Sequence, residues 1–167
     1  MATNLQFIKS ASGTSVSSLD VTDCFSANYD VYKVLINNDN TGNNAFKIRV
    51  INSSDVTKNV SSYDYASLQL NASASFGEDK NTNFNEFRGL GFEALTGAVS
   101  TIYFFNPFSS SSYTFATSQI ASFYTTNYFR GGKAIGVYKV AESITGLHIF
   151  ETGSSFTHLD VAVYGVK

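Results

Sequence analysis

Apolar and polar side chains alternate along several stretches of the chain, most regularly near its C-terminal end. In residues 158–164 one parity is aliphatic, and its members are Leu159, Val161 and Val163. The other parity holds His158, Asp160, Ala162 and Tyr164. A period of two residues is typical of a strand with one buried face. We therefore expect this segment to be a strand that closes a sheet.

The same period predicts strands along the whole chain. The clearest are residues 30–37, 45–51, 99–105, 134–140, 144–150 and 157–165, and weaker ones are residues 4–9, 16–21 and 113–123. Short connections predict a hairpin between the first two clear strands, across residues 38–44, and a meander of the last three. Residues 57–91 are ambiguous, since Tyr63 and Tyr65 lie on one parity and Leu68 and Leu70 on the other, which indicates a bulge or a change of face.

The apolar parity of each strand predicts the core. Its expected members are Val34, Ile36, Phe46, Ile48, Val50, Ile102, Phe104, Leu147, Ile149, Leu159, Val161 and Val163. Many short strands with apolar faces both early and late in the chain favour two packed sheets over one open sheet. The predicted fold class is all-β, a single-domain antiparallel β-sandwich of jelly-roll-like type over residues 1–167.

Composition excludes some classes of function. Charged residues make up 14% of the chain and aromatic residues 15%, whereas ordinary soluble domains have about 25% charged residues. A formal net charge of −2 provides no basic field for phosphates, so we expect no nucleic-acid partner. The sequence has neither a secretory leader pattern nor an apolar window that would span a bilayer, so we expect synthesis in a cytosol and no membrane span.

Few residues are candidates for catalysis. His158 and Asp160 share a strand face, but no serine in a nucleophile-elbow context accompanies them, so we interpret both as solvent-facing. His148 is expected at the surface or in an interface. The single cysteine, Cys24, is expected to be a small buried hydrophobic residue. The sequence predicts no catalytic residues, no cofactor and no metal ligands.

Loop-like segments also lack a recognisable chemistry. The glycine-containing tetrapeptides 88–91 and 130–133 do not follow a strand and open a helix, as a phosphate-binding loop does, and we interpret both as turns. Residues 37–44 resemble the start of a calcium loop. The acidic residue that would close such a site is missing, because Ile48 lies six positions beyond Gly42. A polar hairpin loop is the better interpretation.

A polar and aromatic segment, residues 123–130, is the candidate contact site. Its candidate interface or glycan contacts are Tyr124, Asn127, Tyr128, Phe129 and Arg130. Tyrosine rings beside asparagine and arginine are suited to stacking on sugar faces or to anchoring a protein interface. The same rings are also suited to completing the core, so three interpretations of this segment remain open.

Three parts of the chain resemble small structural proteins of tailed bacteriophages, including phages of cyanobacteria and other aquatic bacteria. Residues 23–34 are similar to a polar and aromatic lead into the first central strand. Residues 102–114 resemble a strand followed by Asn-Pro, an aromatic residue and a serine loop. Residues 144–150 and 161–167 are similar to a closing hairpin that ends in Tyr-Gly-aliphatic-Lys. The resemblance spans nearly the whole chain and offers no catalytic residues.

The resemblance implies a non-enzymatic virion structural protein that acts by protein–protein assembly. The expected position is a capsid decoration (cement) or a head- or tail-associated protein, with major capsid or tail proteins as partners. The resemblance to other virion appendages favours a homo-oligomer, specifically a trimer. The alternative is a carbohydrate-binding β-sandwich module of a tail fibre or appendage, which recognises a host surface glycan.

Overall fold

The computed structural model describes residues 4–42, 44–73, 75–92, 97–125 and 128–167, with the backbone alone at Tyr124 and Thr125. Within these ranges the chain forms strands and no helix. The strands are β1 Leu5–Gly13, β2 Ser18–Val21, β3 Val31–Asn40, β4 Lys47–Asn52, β5 Tyr63–Asn71, β6 Gly77–Phe84, β7 Ala98–Phe105, β8 Thr114–Thr125, β9 Tyr128–Tyr138, β10 Ile144–Phe150 and β11 Phe156–Val166.

Two antiparallel sheets pack face to face. The large sheet has the strand order β1-β11-β3-β7-β8-β9-β5-β6, and the small sheet has the order β2-β10-β4. Strands β1 to β4 alternate between the two sheets, with β11 inserted between β1 and β3 and β10 inserted between β2 and β4. This interleaving of early and late strands is jelly-roll-like. The predicted antiparallel β-sandwich is confirmed.

Two predicted arrangements of strands, a hairpin and a meander, are wrong. Strands β3 and β4 belong to different sheets, so residues 38–44 do not close a hairpin, and residues 38–40 instead extend β3 along β11. The predicted meander fails for the same reason, because β10 pairs with β2 and β4 while β9 and β11 lie in the large sheet. The closing hairpin of residues 144–150 and 161–167 that the resemblance implied is wrong for the same reason, because β10 and β11 lie in different sheets. A short loop can bridge two packed sheets as well as two neighbouring strands, and side-chain periodicity specifies a face without specifying a partner.

The predicted core is confirmed. All twelve of its expected members are at most 2% exposed. Aromatic side chains enlarge this core beyond the predicted set, among them Tyr32, whose ring centroid lies 4.8 Å from that of Phe25. The Tyr32 hydroxyl donates to the Ser26 carbonyl at 2.9 Å, which satisfies the polar end of a fully buried ring. Cys24 is buried as expected, and burial raises the pKa of its thiol to about 12.

The ambiguous region between residues 57 and 91 contains β5 and β6. Their pairing shifts register between Tyr63 and Tyr65, where β6 carries an extra residue and Asn83 has a φ of 56°. The predicted bulge is therefore present. No change of face accompanies it, because Leu68 and Leu70 keep the outward parity and remain 63% and 51% exposed.

The segment 85–92 supplements the small sheet, which is much narrower than the large one. Phe87 and Ile48 exchange two backbone hydrogen bonds of 2.9 and 3.0 Å, so the segment lies beside β4. The Phe87 ring covers Gly136 and the Phe92 ring covers Gly132, where added Cβ atoms would lie 2.8 and 2.5 Å from the two rings. Glycines in β9 thus let aromatic rings cover the backbone of the sheet.

This packing corrects one of the two predicted turns. Gly131 and Gly132 lie inside β9 and pair with Leu70 and Gln69 of β5. At Gly132 glycine occurs because the Phe92 ring approaches the strand closely, and the chain does not reverse at this point. The other predicted turn is confirmed, since the chain turns at Gly89 and Leu90.

Candidate functional site

The structure separates the residues of the predicted contact segment. Asn127 lies outside the described residues, and so does the side chain of Tyr124, whose backbone belongs to β8. Tyr128 is half-buried. Phe129 is exposed and packs against Phe123 across the β8–β9 pair, with ring centroids 5.3 Å apart.

Arg130 points the other way. Adjacent residues of a strand lie on opposite faces, so Arg130 enters the interior and is only 6% exposed. Its guanidinium carbon lies 5.5 Å from the centre of the Phe92 ring. Phe129 is therefore placed for an external contact, whereas Arg130 takes part in the packing of segment 85–92.

A larger surface feature lies on the outer face of the large sheet, the face directed away from the small sheet. It carries seven apolar side chains that are 40–63% exposed: Leu68, Leu70, Val99, Phe115, Phe123, Phe129 and Ile135. They belong to β5, β7, β8 and β9, which are adjacent strands in the order β7-β8-β9-β5. We name these seven residues the apolar patch. Strand periodicity predicts an outward parity, but a single sequence does not reveal that this parity is apolar on four neighbouring strands.

A shallow groove of about 850 Å³ lies at one end of the apolar patch. Its apolar lining includes Phe105, Phe115, Ile135 and Val137. Phe115 lies directly opposite Phe105 on one side and Val137 on the other, so the three side chains form a row across the sheet. Such a groove is suited to receiving an apolar side chain of a partner.

Charges on the outer face are of both signs. The cations include Lys33, Lys80, Lys133 and Lys139, the last paired with Asp64 at 2.8 Å, and the anions include Asp39, Asp64, Glu78 and Asp160. Lys80 and Glu78 pair at 3.0 Å, and His158 and Asp160 pair at 2.9 Å. A face of mixed charge does not repel a second copy of itself.

A polar cavity of about 360 Å³ opens on the opposite side of the large sheet. Side chains from well-separated parts of the chain line it: Lys47, Ser67, Gln69, Asp79, Arg88, Phe92 and Thr152. Lys47 donates a hydrogen bond to the Thr152 hydroxyl. Partial burial, followed by the positive charge of Arg88, lowers the pKa of Lys47. Sequence inspection missed this cavity because no local motif connects its residues.

A buried polar cluster lies near Lys47. The Asn38 amide donates to the Asn40 side-chain oxygen at 3.0 Å, and the Asn40 amide and the Ser154 hydroxyl both donate to the Glu151 carboxylate. This cluster explains why polar residues occupy the end of β3, where the sequence predicts a loop. Burial raises the pKa of Glu151 to about 7, against the opposing charge of Lys47.

The raised pKa of Glu151 predicts a pH-dependent stability. The unfolded chain loses this proton near pH 4.5 and the folded chain near pH 7, so the Glu151 contribution to the unfolding free energy falls as pH rises between these values. We expect Glu151→Gln to gain thermal stability relative to the wild type between pH 5 and pH 8. Circular dichroism melts at four pH values measure this difference. Glu78→Gln, at an exposed site, is the control, and parallel curves for the wild type and Glu151→Gln would contradict the assignment.

The two histidines lie on different sheets and form no common site. His148 is on the outward side of the small sheet, with Nδ1 2.5 Å from an Asp20 carboxylate oxygen and its ring stacked on Phe150. His158 Nε2 lies 2.9 Å from an Asp160 carboxylate oxygen, and both side chains are exposed as predicted. No group of three or more potential metal ligands occurs among the described residues. The described ranges also contain no helix that is long and apolar enough to cross a membrane.

Neither a protein-family model nor a curated protein nor a solved structure matches the chain. Its class is defined by architecture alone, an antiparallel β-sandwich of an eight-stranded and a three-stranded sheet. A function for such a fold has to be argued from its surfaces and cavities.

Proposed function

We propose that this protein is a non-enzymatic structural component of a phage virion and that it assembles through the outer face of its large sheet. The observation that carries the proposal is the apolar patch on four adjacent strands. Exposed apolar side chains that cluster on one face of a sheet mark interaction sites on soluble proteins, because their exposure to water is unfavourable. A capsid decoration or a head- or tail-associated protein acts by such contacts.

The edges of the large sheet are poorly suited to assembly. Edge strand β1 has a bulge between Phe7 and Lys9, and Lys9 folds back to donate to the Thr22 carbonyl at 2.7 Å. Edge strand β6 carries Glu78, Asp79 and Lys80 along its length. Bulges and charges on edge strands oppose the addition of another strand. Association through the face of the sheet is therefore favoured over association through its edges.

The proposed partner on this face is a second copy of the chain. The mixed charges of the outer face permit self-association, and the groove at one end of the patch shares Phe115 and Ile135 with it. Insertion of the other end of the patch of one copy into the groove of the next is a heterologous contact, which generates a ring where the rotation between copies closes. A trimer is the ring favoured by the resemblance to virion appendages, and major capsid or tail proteins are the proposed further partners.

Ile135→Asp tests the assembly face. Ile135 is among the most exposed members of the apolar patch and also lines the groove, so a charge there opposes burial of both. Sedimentation equilibrium of the purified full chain should show an oligomer for the wild type. The dissociation constant of the variant oligomer should be about tenfold higher than that of the wild type, or more. Val56→Asp, at an exposed aliphatic position outside the sheets, should behave as the wild type.

Three outcomes would contradict the proposal. A wild type that is monomeric at all accessible concentrations and does not bind particles leaves the face without a partner. Immunogold labelling of purified particles of the encoding phage tests the virion assignment directly, and absence of the protein from those particles refutes it. Equal dissociation of Ile135→Asp and Val56→Asp would show that the oligomer uses another surface.

The alternative function, recognition of a host glycan, has its own supporting observation. The polar cavity lies on the other side of the large sheet from the apolar patch and is lined by amide, hydroxyl and charged side chains. Such groups provide the donors and acceptors that sugar hydroxyls require.

A further inference from the structure

The polar cavity lies where the two sheets and segment 85–92 meet. Lys47 of β4 and Thr152 of the β10–β11 loop form one part of its wall, and Ser67, Gln69 and Asp79 of β5 and β6 form another. Arg88 and Phe92 complete it from segment 85–92. A volume of about 360 Å³ is within the range of small-ligand sites.

Arg88 is held in one orientation before any ligand arrives. Its Nε donates to the Glu86 carboxylate at 3.1 Å, and its guanidinium carbon lies 4.4 Å from the centre of the Phe84 ring. Glu86 is itself fixed by Arg49 at 3.0 Å on its other oxygen. The two terminal nitrogens of Arg88 make no hydrogen bond within the described part of the chain. A guanidinium held in this way is preorganised to bind a carboxylate with two parallel hydrogen bonds.

Lys47 supplies a second cation to the same cavity. The neighbouring positive charge of Arg88 contributes to the lowered pKa of its ammonium group. Two cations that face one cavity repel each other, and an anion bound between them relieves that repulsion. A negative group that reaches both Lys47 and Arg88 is therefore favoured in this cavity.

The remaining lining is suited to hydroxyl groups. The Gln69 side-chain amide has no hydrogen-bond partner among the described residues, so its donors and its acceptor are available. Asp79 contributes carboxylate oxygens, one of which is 3.3 Å from the Tyr65 hydroxyl, and Ser67 contributes a hydroxyl. A carboxylate and an amide on adjacent strands can together engage neighbouring hydroxyls of one ligand.

We propose that the polar cavity binds a saccharide unit that bears a carboxylate, with the acid group between Lys47 and Arg88 and the ring hydroxyls on Gln69 and Asp79. The inference names the ligand class for the alternative function above and does not depend on the assembly face. In a virion protein this site would recognise acidic surface polysaccharide. The proposal assigns a role to Lys47, which the sequence patterns did not single out, and to Arg88, which they placed in a turn.

Isothermal titration calorimetry of the full chain with D-glucuronate tests the site. The wild type should bind D-glucuronate and should bind D-glucose at least about tenfold more weakly, because glucose lacks the charged group. Lys47→Met should weaken D-glucuronate binding by about tenfold or more. Lys133→Met is the matched control, since Lys133 is an exposed lysine on the outer face, and it should bind as the wild type does.

A second variant, Gln69→Leu, tests the site independently of any misfolding of Lys47→Met. Gln69→Leu keeps the two cations and removes only the amide. It should therefore weaken the binding of D-glucuronate while leaving the circular dichroism spectrum of the protein unchanged. Failure of the wild type to bind D-glucuronate overturns the proposal, as does equal binding by Gln69→Leu and wild type. Acetate that binds as tightly as D-glucuronate would reveal a simple anion site and overturn the saccharide assignment. Ile135→Asp should retain D-glucuronate binding, so loss of assembly and loss of ligand are distinguishable.

Discussion

Val161→Asp should destabilise the fold by about 3–5 kcal/mol, because it places an uncompensated charge in the interior. Val161 is 2% exposed in the centre of β11, which is itself flanked by β1 and β3. The substitution removes a buried aliphatic side chain as well as adding a charge, and the residues of the core cluster to which Val161 belongs are hydrophobic. For a chain of this length the expected decrease in melting temperature is roughly 10 °C.

Ala162→Asp is the matched control for this prediction. Ala162 is the next residue of the same strand and lies on the outer face, so its carboxylate remains in water. Thermal unfolding followed by circular dichroism should separate the two variants clearly, with Ala162→Asp within about 1 kcal/mol of the wild type. A reversed order would mean that the register of β11 is shifted by one residue, since a shift of one exchanges the two faces.

Periodicity predicted which residues are buried, but it did not predict which strands are neighbours. Val34, Ile48 and Val161 are buried because the apolar residues of an alternating strand lie on the side that faces the other sheet. Pairing depends instead on the connections, and loops such as residues 141–143 cross between sheets. Apolar residues on both sheets gave the prediction of a sandwich, whereas the order of strands within each sheet required the structure.

The candidate sites were harder to predict than the fold. The aromatic segment near residue 128 divides between two faces, with Phe129 outside and Arg130 inside. Local spacing could have revealed this division, because consecutive strand residues point in opposite directions. The polar cavity could not be found in this way, since Lys47, Gln69 and Arg88 are distant in sequence and are brought together only by the packing of segment 85–92.

Gly131 and Gly132, which predict a turn, instead lie within a paired strand. The conformational freedom of glycine predicts that the chain reverses at Gly131 and Gly132. In the structure, Gly132 instead allows the Phe92 ring to pack closely on β9. The two explanations differ in what an added methyl group would meet. In an exposed turn it would meet water, and in β9 it meets protein.

Gly132→Ala is therefore expected to destabilise the fold by about 1–3 kcal/mol or more, through overpacking. The added Cβ would lie 2.4 Å from the Leu68 carbonyl oxygen and 2.5 Å from the Phe92 ring. The carbonyl belongs to the neighbouring strand β5 and cannot retreat without disturbing its pairing with β9. Gly77→Ala is the matched control in edge strand β6, because its nearest atoms belong to the Gln69 side chain at 3.4–3.8 Å. Chemical denaturation of both variants measures the difference, and equal stability of Gly132→Ala and Gly77→Ala would show that Phe92 does not cover β9.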